Sequence, residues 1–226
     1  MMFLFDIDGT LVLTGGAGAR ALDRAFHELL GIERAMDGIA PDGKTDPLIV
    51  LEVFAARLGR APSSEESDRV LGAYLRHLET EVLRADRYRI MPGALTALNL
   101  LEGQNLPVGL ATGNLEQGAR IKLERGGLWH RFPFGGFASD STDRRELVAR
   151  AIARGEAYAG RRVSPRDVFV VGDTPRDVDA AHGCGATAIA VATGSHSLST
   201  LRTCGADVVM ETLEEFPGWL AKISPP

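Results

Sequence analysis

Five short apolar runs set the rhythm of this chain: Met2–Phe5, Pro107–Ala111, Asp167–Val171, Thr187–Ala192 and Asp207–Met210. Each has the length of a strand. Four of them give way at once to small or polar residues: Asp6, Thr112-Gly113, Gly172-Asp173 and Thr193-Gly194. Between them lie stretches with helical spacing, with Leu95, Leu98 and Leu101 on one face before Pro107, and Leu147, Ala151 and Ile152 on another. Nearly continuous hydrophobic strands alternating with amphipathic helices specify an α/β fold, a parallel sheet covered on both faces. Such sheets bind ligands beyond the carboxyl ends of their strands, where the acidic and hydroxyl residues of this chain stand.

One block departs from the rhythm. From about Gly15 to Tyr88 there is no strand pattern, only helical ones at Ala21–Leu30, Asp46–Leu58 and Glu65–Leu83. In the last, Val70, Leu71, Tyr74, Leu75, Leu78 and Val82 repeat as a single apolar face. An inserted all-helical cap domain is therefore expected over 15–88, with 1–14 and 89–226 forming the core. Its entry, Thr14-Gly15-Gly16-Ala17-Gly18, is flexible enough to act as a hinge.

Composition narrows the partners. The 226 residues carry 30 acidic and 25 basic side chains, interspersed, for a net charge of −5. No basic stripe invites nucleic acid or an anionic membrane surface. The opening Met1-Met2-Phe3-Leu4-Phe5 runs straight into Asp6, too short for a signal peptide or a membrane span, so a cytoplasmic protein is expected. The two cysteines, Cys184 and Cys204, lack any CxxC or Cys/His cluster and read as small buried residues of a reducing compartment. The five histidines show no ligand spacing and read as surface or packing residues. Trp129 and Phe132–Phe137 read as core or edge packing. Oligomeric state leaves no mark on the sequence.

Three segments carry chemistry. Asp6-Ile7-Asp8-Gly9-Thr10 follows the first strand, with two carboxylates able to reach one site and a glycine that permits a tight turn. Gly172-Asp173-Thr174-Pro175-Arg176-Asp177 follows another apolar strand; taken alone it also reads as a helix start, with Asp173 or Thr174 as cap and Pro175 in the first turn. Together the two segments converge on an acidic pocket, and packed carboxylates repel unless a cation neutralises them; hard oxygen ligands of this kind suit Mg²⁺. The third, Ala111-Thr112-Gly113-Asn114, places a hydroxyl and free backbone N–H groups at a helix start. That arrangement suits phosphate at the same sheet edge, although a plain helix cap would use the same residue types.

The order of these segments, with Thr112 between the two acidic motifs, resembles that of the haloacid dehalogenase superfamily of aspartate-nucleophile hydrolases. The resemblance covers nearly the whole chain, including the helical block. Gly43-Lys44-Thr45-Asp46 and the late Gly205-Ala206-Asp207-Val208-Val209 are similar to the phosphoglycolate phosphatase-like branch. The resemblance implies a Rossmann-like core, Mg²⁺ and a small phosphorylated metabolite as substrate. It implies Asp6 as nucleophile and Asp8 as general acid and base. Asp6, the Asp8 carbonyl and Asp173 would hold the metal, with Asp177 behind them orienting a metal-bound water or the arginine. Thr112, Gly113 and Asn114 would bind phosphate, and Lys44 and Thr45 would meet the substrate from the cap.

One departure stands out. The superfamily places a lysine near the nucleophile, yet this chain has three lysines, Lys44, Lys122 and Lys222, and neither Lys122 nor Lys222 is expected to stand there. In the expected region lies Ser139-Asp140-Ser141-Thr142-Asp143-Arg144-Arg145. An arginine can substitute, being always charged and able to bond oxygens in pairs, and Arg144 is favoured over Arg145. The competing readings are a phosphomutase or phosphonatase, a 2-haloacid dehalogenase, and a non-enzymatic binding protein. Asp8 and the Asp173/Asp177 cluster argue against a metal-free dehalogenase, and retention of both Asp6 and Asp8 argues against a binding protein.

Overall fold

The computed structural model describes residues 1–223. In chain order the elements are β1 (Met2–Phe5), β2 (Val12–Leu13), α1 (Ala17–Leu30), α2 (Asp46–Leu58), α3 (Ser64–Arg84), β3 (Arg89–Ile90) and α4 (Ala94–Gly103). There follow β4 (Val108–Ala111), α5 (Glu116–Arg125), β5 (Gly135–Gly136), α6 (Arg144–Ala159), β6 (Val168–Gly172), α7 (Pro175–Gly183), β7 (Thr187–Val191), α8 (Leu198–Thr203), β8 (Val208–Met210) and α9 (Phe216–Ile223).

Six strands make one sheet in the order β5-β4-β1-β6-β7-β8, every neighbouring pair parallel. Successive side chains on a strand point to opposite faces, and the packing follows. Phe3 and Phe5 of β1 and Phe169 and Val171 of β6 enter one core with Leu98 and Leu101 of α4 and Phe216 of α9. Met2, Leu4, Val168 and Val170 enter the other, with Val148 of α6 and Val178 of α7. Both faces are dry, which explains why the strands read as unbroken apolar runs rather than alternating ones. β1 lies between β4 and β6, so the chain leaves it to one side for β4 and β5 and crosses to the other for β6. The carboxyl ends of β1, β4 and β6 thus flank a crevice where strand order reverses.

Helices α1, α2 and α3 close on a third apolar core built from Phe26, Val53, Phe54, Tyr74 and Leu78 among others. α3 starts with a reciprocal capping box, Ser63 accepting from Glu66 N–H while the Glu66 carboxylate accepts from Ser63 N–H. The block contains no strand. At its borders, however, β2 and β3 pair antiparallel, Val12 with Ile90 and Leu13 with Arg89, in a ribbon the sequence does not announce. Two-residue strands are too short to show a period.

Two local expectations change. Leu95 is exposed, and Ala94, Ala97, Leu98 and Leu101 form the buried face of α4 instead. Cys184 and Cys204 are half-buried rather than buried, their thiols turned to the carbonyls of Arg145 and Leu201. Gly135–Gly136 is an edge strand; a Cβ on Gly136 would stand 1.9 Å from the Leu147 carbonyl, so the glycine lets α6 pack against the sheet edge. Among the described residues no helix is long and apolar enough to cross a membrane.

Candidate active site

Asp6 is the first residue past β1 and is almost fully buried, its N–H bonded to the Val171 carbonyl of the neighbouring strand at 2.9 Å. Gly9 then turns the chain with φ +79°, a conformation L side chains rarely adopt. A Cβ there would meet Asp173 Oδ2 at 2.5 Å. From the end of β6, Asp173 faces the same crevice and accepts from the Thr10 hydroxyl at 3.4 Å. Asp177, in the first turn of α7, caps that helix: its Oδ2 accepts from Thr174 N–H at 3.0 Å and from the Thr174 hydroxyl at 2.7 Å. The helix-start reading of this segment and the acidic-pocket reading therefore both hold.

One carboxylate oxygen each from Asp6, Asp173 and Asp177 lies within 4.8 Å of the other two. Burial, first of all, pushes the Asp6 and Asp173 carboxyls above the ordinary range; Arg144 works against this at Asp6, while neighbouring aspartates reinforce it at both. Three buried carboxylates packed this closely fit a hard divalent cation, which would reverse those shifts.

Arg144 opens α6 and serves several partners at once. Its guanidinium lies 3.6 Å from Asp6 Oδ1, donates to Asp177 Oδ1 and donates to the Gly43 carbonyl at 3.2 Å. Arg145, one residue on, is exposed and lies against Gly183. Between the two arginines, the structure brings Arg144 to the side of Asp6. Thr112 is fully buried just past β4, beside Asp6, and its hydroxyl accepts from Asn114 Nδ2 at 2.8 Å.

The expectation that Lys122 stands away from the site is overturned. Its buried ammonium donates to Asp8 Oδ2 and to Asn114 Oδ1, both at 2.6 Å, and Asn114 Nδ2 also reaches Asp8 Oδ2 at 3.0 Å. The Asp8 carboxylate therefore engages the α5 side of the crevice, yet lies near enough to Asp6 and Asp173 to help raise both. Gly118, Ala119, Lys122 and Leu123 form the buried face of α5. A lysine in that helical phase among small and apolar neighbours is the signal that could have found it.

Asp46 was also missed as a site residue. It opens α2, is buried, donates from its N–H to the Gly113 carbonyl and accepts from Leu115 N–H at its Oδ2, each at 2.8 Å. Burial pushes its carboxyl up to about 6, with Lys122 and the Leu115 N–H pulling the other way. Burial works to lower the Lys122 value, but Asp8 and Asp46 beside it carry it above the ordinary lysine range. The Tyr74 hydroxyl stands beside Asp46, and burial, then the Asp46 charge, raise its pKa well above normal.

A cavity of about 230 Å³ lies between the helical block and the sheet edge, reaching Asp6, Asp8, Gly113, Asn114, Arg144 and Asp173 on the core side. Lys44 lines it, with its ammonium paired to Glu52 at 2.5 Å. Thr45 does not. It precedes α2 as its N-cap, and its hydroxyl is engaged with the Thr142 carbonyl at 3.4 Å. The loop approach is close: a Cβ on Gly113 would stand 2.2 Å from the Lys44 carbonyl.

Comparison with known proteins places the chain in a family. The haloacid dehalogenase-like hydrolase family matches residues 3–182. A probable phosphatase, IndB, of Dickeya dadantii is 27% identical over 220 residues, covering 96% of this chain and 92% of that protein. A phosphoglycolate phosphatase of Chromobacterium violaceum is 31% identical over 225 residues, covering 93% and 92%. The crystal structure of a hydrolase from Pseudomonas syringae superposes with a TM-score of 0.76 at 22% identity, covering 99% of each chain.

Proposed function

Because the chain belongs to the haloacid dehalogenase-like hydrolases and is a phosphatase of the phosphoglycolate phosphatase-like kind, we propose that it hydrolyses the phosphate monoester of a small metabolite, of about phosphoglycolate's size, through an aspartyl-phosphate on Asp6. The observation that carries the reading is the meeting of three buried carboxylates with Arg144 at the strand ends that flank the crevice.

Asp6, Asp173 and the Asp8 main-chain carbonyl would hold Mg²⁺, with Asp177 steadying both the cluster and Arg144. Bound there, the ion would neutralise the acidic cluster and draw charge from the phosphoryl oxygens. Asp6 attacks phosphorus in line, and the bond to the leaving oxygen breaks. Asp8 gives a proton to that oxygen, then takes one from the water that cleaves the acyl-phosphate. The Thr112 hydroxyl, the Gly113 and Asn114 N–H groups and Arg144 balance charge on the transferring group. The helical block acts as the cap, keeping bulk water from the reacting centre, with Lys44 flanking the leaving group. The phosphonatase alternative needs a free amine at Lys44, and its pairing with Glu52 does not favour that.

Trapping tests the reading. Acid-quenched turnover of a generic aryl phosphate with Mg²⁺ should yield a phosphoryl adduct mapped to the peptide carrying Asp6. A label on any other residue, or undiminished phosphate release after exhaustive chelation, contradicts it.

A further inference from the structure

We infer that the leaving group this site accepts is an uncharged small alcohol with an apolar flank, not one bearing a second anionic group such as glycolate. The inference rests on the phosphatase reading and deepens it. Five carboxylates and three cations line the cavity. Each cation already has a carboxylate partner in the protein: Arg144 with Asp177 and Asp6, Lys122 with Asp8, and Lys44 with Glu52. The phosphoryl group itself would engage Arg144. Among the described residues, that leaves no unpaired cation on the wall for a carboxylate carried by the leaving group. A charge moved from water into such a site without a partner pays its desolvation in full.

The wall formed by the helical block carries Asp42, Lys44, Asp46 and Tyr74, and beside them an apolar patch of Ala19, Leu22, Met36 and Ile49, where Gly16, the N-cap of α1, and Gly18 project no side chain. That patch gains from covering carbon rather than an anion. The volume, about 230 Å³ with the phosphoryl group included, lies below the usual range for sites that take drug-sized ligands, which confines the alcohol to a few carbon atoms.

A matched pair of esters isolates the charge. Phosphoglycolate and glycolamide phosphate differ by a carboxylate replaced with a carboxamide of the same shape. With the purified full chain and Mg²⁺ at neutral pH, kcat/KM should be at least tenfold higher for the amide, and n-propyl phosphate should also exceed phosphoglycolate. Phosphoglycolate turned over as well as the amide overturns the inference while leaving the phosphatase reading intact. So does turnover confined to aryl phosphates. If no ester is hydrolysed, an aryl phosphate included, the phosphatase reading falls and takes the inference with it. Lys44→Met supplies a second arm: the ratio of amide to carboxylate turnover should stay within about twofold. A selective loss of phosphoglycolate turnover would mean that Lys44 leaves Glu52 to bind a substrate carboxylate, which also overturns it.

Discussion

The Lys122 ammonium and the Asp8 carboxylate, 114 residues apart in the chain, meet at 2.6 Å and are the contact through which α5 reaches the crevice. Lys122 is buried and also faces Asp46, so a neutral side chain there strands a buried carboxylate. Lys122→Met is expected to lose about 2 kcal/mol of folding stability, the scale of hydrogen bonds to a charged group, since the Asp8 partner is 42% exposed. Lys222→Met, on the exposed face of α9, should stay within about 0.5 kcal/mol of wild type. Urea titration of both variants checks this, and equal effects would place Lys122 in solvent.

Asp6→Asn should separate stability from turnover. The Asp6 carboxyl is held above its ordinary pKa chiefly by burial, so its charged form opposes folding once the pH exceeds that of an unperturbed aspartate. In metal-free buffer at pH 8 the amide should therefore raise Tm while abolishing phosphate release. Mg²⁺ should stabilise wild type more than the variant. A lower metal-free Tm for the variant would contradict the acidic-cluster account.

Arg144 and Arg145 differ by position, not by type. Arg144→Lys replaces a planar fork that serves Asp6, Asp177 and the Gly43 carbonyl with a single ammonium. Its kcat should fall by about 10²-fold, the scale of removing one charge-stabilising donor. Arg145→Lys should be nearly silent, and steady-state kinetics that rank the two the other way would reassign the role.

Gly194 lies against Asp173, on the side of the site proposed to hold Mg²⁺. A Cβ there would stand 1.7 Å from Asp173 Oδ2, so Gly194→Ala must displace either the carboxylate or the loop. The Mg²⁺ concentration for half-maximal activity should rise at least tenfold. Gly218→Ala, where nothing lies within 4 Å, serves as the neutral comparison.

Asp46 gives a stability signature with pH. A carboxyl raised from 3.8 to about 6 holds its proton more tightly when folded, so it favours folding below pH 4 and loses that contribution as the pH rises through about 6. Asp46→Asn removes the trend. Relative to wild type, the variant should gain up to about 3 kcal/mol between pH 4 and pH 7 in chelator-containing buffer. Parallel stability curves for the two proteins would refute the burial of an ionisable carboxyl there.

The sheet and the three long helices of the insertion were legible because both rest on period: apolar runs buried on two faces, and α2 in particular over Asp46–Leu58. Asp6, Asp173 and Thr112 were legible because each directly follows a strand that the pattern reveals. Arg144 was reached only through the resemblance, which points to a basic residue in its segment, and its place at the start of α6 is what brings it to Asp6. Lys122 and Asp46 were not legible as partners, because their meeting depends on the angle at which the helical block docks on α5, and no local spacing encodes that angle. The same reason hid the turning of Thr45 toward Thr142. The β2–β3 ribbon escaped for want of length.

That ribbon has a mechanical consequence. The helical block joins the rest of the chain through two crossings, and both run through the paired residues Val12–Ile90 and Leu13–Arg89. A two-stranded ribbon flexes readily out of its plane and resists shear within it, because shear breaks its cross-strand bonds while bending does not. If the block swings as a cap, this ribbon would leave it a single easy direction, like a door on one leaf. The ribbon is also fastened to the turn after β1, with Gly9 N–H bonded to the Val12 carbonyl and Met91 N–H to the Leu11 carbonyl, each at 2.9 Å. The ribbon and the segment bearing Asp8 are thus one piece of backbone, so under the proposed mechanism any change in the block's angle would be felt first at Asp8.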